Sequence, residues 1–158
     1  DTMEKANWHP YPVLTKRSSL MTRYLRERYG NGHAPPHIWL GVSVEDAKNV
    51  VRLKHLQAAP ASIKFVSFEP LIGPVGTVDL AGIQWAIVGG ESGPKAQPMA
   101  EEWAIELLDQ CRAAKVAFFF KQWGGVRPKT GGRLLRGREW NQYPSASNQK
   151  ISALTTAE

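Results

Sequence analysis

Trp85-Ala86-Ile87-Val88-Gly89-Gly90-Glu91-Ser92 decides the fold: a short unbroken apolar run stops abruptly in two glycines, an acid and a hydroxyl. The same form recurs in Pro12-Val13-Leu14-Thr15-Lys16-Arg17, Ile38-Trp39-Leu40-Gly41-Val42-Ser43, Ile63-Lys64-Phe65-Val66-Ser67-Phe68-Glu69 and Ala117-Phe118-Phe119-Phe120-Lys121-Gln122-Trp123-Gly124. Strands covered by helices read as continuous hydrophobic runs, and ligands of α/β sheets gather where the carboxyl ends of the strands open into loops. These runs, each closed by polar or glycine residues, predict a mostly parallel sheet with its chemistry along one rim.

The segments between the runs supply helices. Ser18 suits the N-cap of a helix over 19–29 that Gly30 closes, and Glu45-Asp46 lead into a second helix over 47–59 that Pro60 stops. Pro70-Leu71-Ile72-Gly73-Pro74-Val75-Gly76 excludes a full helix from the next crossover, leaving at most a short strand or turn over 77–80. A last amphipathic helix over 101–114 carries Trp103, Leu107, Leu108 and Cys111 as its apolar stripe. Strand and helix alternate, the pattern of right-handed βαβ units in an α/β fold.

A chain of 158 residues is one ordinary domain, taken as residues 1–144 with a basic glycine-rich segment over 125–144 and a flexible tail over 145–158. Its apolar share of 42% and charged share of 22% are those of a soluble globular protein, and no apolar run nears the roughly 18 residues of a membrane span. Cys111 is the only cysteine, which excludes an intramolecular disulfide and a cysteine-bound cluster within the chain and suits a reducing cytoplasm. His9, His33, His37 and His55 lack metal-ligand spacing, and neither Ser43 nor Ser67 has a recognisable histidine partner, so no metal and no nucleophile is assigned.

Candidate ligand residues crowd the ends of the runs. Glu45, Glu69 and Glu91 end three successive runs; they either converge on one cavity, as acceptors for an amine or ribose or as a general base, or cap helices and pair with Lys16, Arg17 and Lys121. Gly89, Gly90, Glu91 and Ser92 admit a ligand close to the backbone, or simply make a tight strand-to-loop turn. Lys121, Gln122 and Trp123 combine a cation, an amide and an indole able to hold an anion and stack a base, although Trp123 equally suits packing against the following segment. The formal charge of +6 gathers partly in Arg127, Lys129, Arg133, Arg136 and Arg138, near Trp140: a nucleic-acid arm, or a solvated segment covering the end of the sheet.

The strings LTKR at 14–17, WLGVSVE at 39–45, SFEPLIGPV at 67–75, GGESGP at 89–94, DQC at 109–111 and FFFKQWGG at 118–125 together resemble a phage-associated family, domain of unknown function 5131, over 12–144. The resemblance implies a radical S-adenosylmethionine-like fold: an incomplete, half to two-thirds TIM-like barrel of about five mostly parallel strands alternating with helices. Longer members begin with a cysteine-bearing region able to ligate an iron–sulfur cluster. The present chain is therefore expected to match the C-terminal part, carrying a substrate rim of Lys16, Glu45, Glu69, Glu91, Lys121 and Gln122. S-adenosylmethionine and the cluster are implied only for the longer members, with no cofactor bound by this chain alone. Five strands do not close a barrel, so a second copy, a swapped element or an N-terminal region is expected over an open sheet edge. Two function classes follow: the substrate part of a radical enzyme, or a non-enzymatic module that binds nucleic acid or another polyanion.

Overall fold

The structure, a computed structural model, describes residues 1–127 and 130–144. Lys129 and the tail expected over 145–158 lie outside the described residues. Strands β1 (Tyr11–Thr15), β2 (Ile38–Ser43), β3 (Lys64–Phe68), β4 (Trp85–Gly89) and β5 (Ala117–Gln122) form one sheet. All neighbours are parallel and the spatial order is the chain order. Strands β2 to β5 fall within the apolar runs that predict them, while β1 starts one residue before its run, at Tyr11, and alternates between half-buried and exposed residues as an edge strand does.

Helices α2 (Ser18–Tyr29), α3 (Val51–Gln57) and α4 (Glu101–Ala113) connect the strands. Ser18 is not the cap expected: it sits in the first turn of α2, and its Oγ lies 2.9 Å from His55 Nδ1. Thr22 Oγ1 donates to the His55 carbonyl at 2.7 Å, so the hydroxyls of α2 serve to fasten α3. The helix expected over 47–59 is shorter, with a 3₁₀ turn at Ala47–Asn49 preceding α3; Asp46 caps that turn by accepting the Lys48 N–H at 3.0 Å. No helix or strand occupies 70–84, as the prolines and glycines require. A short α1 (Thr2–Lys5) escapes sequence reading, being too brief to show a period. Among the described residues no helix is long and apolar enough to cross a membrane.

Helices α2, α3 and α4 pack on one face of the sheet. Val42, Val66, Phe68, Ala86, Val88, Phe118 and Phe120 point into that layer, where they meet Leu25 of α2, Leu53 and Leu56 of α3, and Leu107, Leu108 and Cys111 of α4. The opposite face carries its own aromatic cluster of Trp39, Phe65 and Trp85 with Ile87 and Phe119 packed on it, and among the described residues no helix covers it. Sequential parallel strands with helices outside and large side chains within are the arrangement of part of a TIM-type barrel.

The two sheet edges differ. Along β5 the chain covers itself: Phe120 N–H donates to the Trp140 carbonyl at 2.9 Å, Gln142 N–H to the Phe118 carbonyl at 3.1 Å, and Asn141 bridges Phe119 in antiparallel sense. The Trp85 indole N–H then donates to the Gln142 carbonyl at 2.9 Å, which draws this segment under the helix-free face. Along β1 only β2 is paired among the described residues. The β5 edge is thus covered by the chain's own residues 140–142.

Candidate functional site

The site is built on the helix-free face, at the carboxyl ends of the strands. Ser43 pairs in register with Ser67, and the side-chain period of two places Glu45 and Glu69 one step further along the same side. Lys121 reaches Glu69 from β5, its Nζ 2.9 Å from Oε1 and 3.1 Å from Oε2. Gly89 lies between them: a Cβ there would stand 3.3 Å from the Glu69 carboxyl and 3.4 Å from the Lys121 Cβ. Below this pair, Ser67 and an apolar floor of Phe65, Trp85, Ile87 and Phe119 line a cavity of about 340 Å³, with Pro12 and Leu14 on one side and Tyr143 on the other.

Towards β1 the rim continues as a second ionic group. Glu45, buried, receives Lys16 Nζ at 2.6 Å and Arg52 Nη1 at 2.8 Å, and Arg52 also donates to the Ser43 carbonyl at 2.7 Å. Burial pushes the Glu45 carboxyl up, but the Lys16 hydrogen bond and the charges of Arg52 and Lys16 outweigh it and hold the group below its ordinary value. Arg52 was missed in the sequence because it stands in a helix read for its apolar stripe. Its one signal is a cation shortly after a strand-terminal acid. Arg17 is exposed, with its backbone N–H on Thr15 Oγ1 at 3.0 Å.

The remaining rim residues go elsewhere. Glu91 Oε2 accepts the Gln97 N–H at 2.9 Å, and Ser92 Oγ lies 2.8 Å from its donor Gln122 Nε2. Gly90 and Gly124 let the loops after β4 and β5 pack backbone to backbone: a Cβ on Gly90 would lie 2.7 Å from the Trp123 carbonyl carbon, and one on Gly124 2.8 Å from that of Gly90. Trp123 packs on Phe120 at 4.8 Å on the helix side and donates its indole N–H to the Leu134 carbonyl at 2.8 Å. The structure therefore brings Lys16 to Glu45 and Lys121 to Glu69, while each of the three carboxylates is bound by different partners and Trp123 stands apart from Lys121.

The basic segment is occupied in similar fashion. Arg136 makes a two-pronged contact with Asp109 of α4, both distances 2.8 Å; that bond raises the guanidinium's pKa and lowers the carboxylate's. Arg138 lies 3.5 Å over the Trp140 ring, and Arg133 bonds Asn141 while standing 5.3 Å over Phe119. Arg127 is exposed.

An iron–sulfur cluster, which the resemblance implies only for longer members, needs a set of thiolate ligands. No group of three or more histidine, cysteine, aspartate or glutamate residues able to hold a metal occurs among the described residues. Cys111 is fully buried in the helix-side core, and burial pushes its thiol up to about 12. These residues do not fit an iron–sulfur cluster. The Gly-Gly-Glu string leaves little room for a ligand at its backbone, since the Trp123 backbone fills the space beside Gly90 and Glu91 is turned to Gln97.

Fold and site define an open α/β half-barrel with a charged rim over an aromatic floor. The family model described as Protein of unknown function (DUF5131) matches residues 1–144, and the chain belongs to that family. The match takes in the N-terminal residues, which corrects the expectation of likeness to a C-terminal part only, beginning at Pro12. No curated protein and no solved structure matches the chain.

Proposed function

We propose that this chain is the substrate-binding portion of a radical S-adenosylmethionine-like barrel of the phage-associated kind, with the cluster held by residues outside this chain. One observation supports the reading above others: the Lys121–Glu69 pair stands over an aromatic floor, beside a cavity of about 340 Å³, at the carboxyl ends of sequential parallel strands. Ligands of such sheets collect at that end, in concave apolar sites with a few convergent polar groups. Lys16, Glu45 and Arg52 extend the rim and fix its shape. In this reading the chain's own residues bind and orient a substrate, and none of them is the nucleophile. Nucleic-acid binding through the basic segment has less support, because Arg133, Arg136 and Arg138 already hold partners within the chain.

The test is to express the whole natural protein that contains this chain and to reconstitute it anaerobically with ferrous iron and sulfide. Clustered cysteines outside residues 1–158 and cleavage of S-adenosylmethionine are the expected results. A natural protein with no clustered cysteines and no bound cluster overturns the proposal.

A further inference from the structure

Resting on the helix-free face as a ligand site, we propose that its ligand is a flat aromatic ring bearing a zwitterionic head, the class of aromatic amino acids and their close analogues. The floor is itself aromatic. Trp85 lies at its centre, with ring centroids 5.7 Å from Phe65, 6.1 Å from Phe119 and 5.2 Å from Tyr143, all tilted or edge-on. Tilted rings offer both edges and faces to a further ring, the geometry in which aromatic pairs attract most. Leu14 and Tyr143 border the cavity yet are 48% and 58% exposed, so an apolar body seated there would take both out of water.

The rim dictates the head. Lys121 and Glu69 neutralise one another at 2.9 Å, so the mouth of the cavity carries no net charge from this pair. A ligand with a single charge would engage one partner at the expense of the existing Lys121–Glu69 contact, leaving the other to water. A zwitterion avoids this, because its ammonium meets Glu69 while its carboxylate meets Lys121, with charge-assisted bonds on both sides. Ser67 lies between floor and pair on the same face, and Gly89 keeps the space beside the carboxylate clear. A cavity of about 340 Å³ stands at the small end of ligand sites, which run from roughly 300 Å³, and so suits a one- or two-ring compound.

Calorimetric titration of the chain with L-tryptophan, tryptamine and indole-3-propionate tests this directly. L-tryptophan is expected to bind at least about tenfold more tightly than either singly charged probe, a difference of about 1.4 kcal/mol. Glu69→Gln leaves Lys121 unpaired and shifts the preference to indole-3-propionate; Lys121→Gln leaves Glu69 unpaired and shifts it to tryptamine. Thermal melts of both variants beside the parent separate a folding defect from a binding one, and the ranking on the parent chain stands without them. Equal binding of the three probes, or binding of none, overturns the proposal. Ring binding without a cluster in the longer protein defeats only the radical reading, whereas a cluster without ring binding defeats only this one.

Discussion

Gly90 shows how narrowly one position is specified. A methyl group there would meet the Trp123 carbonyl, and a backbone atom has no rotamer by which to move aside. Gly90→Ala is expected to force the two loops apart at a cost of roughly 3 kcal/mol, the upper range for overpacking, read as a lowered midpoint in urea unfolding. An unchanged midpoint would show that the loops give way freely. In the sequence this glycine reads equally as a ligand contact or a tight turn, because a run of letters does not reveal what stands opposite a missing side chain. Arg52 is the converse: nothing in its own helix marks it, and only the fold brings it within 2.8 Å of Glu45. Ser18 is misread for a related reason, since a hydroxyl before a helix satisfies capping equally well on paper, and the approach of His55 across 37 positions is invisible there.

At the scale of elements, α4 is the best-read piece of the chain because its stripe repeats over three turns. Leu107, Leu108 and Cys111 are fully buried as that stripe predicts, although Trp103 stays only partly covered. The Cys111 thiol, sealed in this layer with its pKa pushed up to about 12, is expected to resist an aromatic disulfide reagent in native buffer and to react fully in denaturant. Prompt reaction of the native protein would mean that α4 opens locally. The basic segment is the least legible element. It pairs with β5 through isolated residues, Trp140 and Gln142, rather than through a strand with its own alternation, and its arginines read as free charge until Asp109, Phe119 and Trp140 are placed beside them. The inner strands are legible for the opposite reason: apolar side chains on both sides, as in the fully buried β2, write themselves into sequence as an unbroken apolar run.

For the whole molecule, the α/β class follows from the alternation of runs and helices, while the strand order and the lack of a helix over one sheet face do not, since Trp39, Phe65 and Trp85 are as apolar as any helix-covered residue. Stability towards acid belongs to this scale. Glu45 is held below its ordinary 4.5 because Lys16 and Arg52 outweigh its burial; Glu4 is held below the same value by Arg28, and Asp109 below its ordinary 3.8 by Arg136. Depressed native values mean that the unfolded chain binds more protons in acid. The stabilisation is therefore complete above about pH 5 and is lost as the pH falls through the carboxylate range. Circular dichroism melts are expected to be level from neutrality to about pH 5 and to drop below it, with a shallower drop in Glu45→Gln; identical slopes for parent and variant would remove Glu45 from the account. The unlike borders of the sheet have a further consequence. Among the described residues β5 is finished by its own chain while β1 pairs on one side alone, which leaves the two borders unequal. Two copies joined at β1 about a two-fold axis would meet antiparallel and present only finished borders to the outside. Growth through unequal borders would halt at a pair, because a head-to-tail fibre would have nowhere to add its next member.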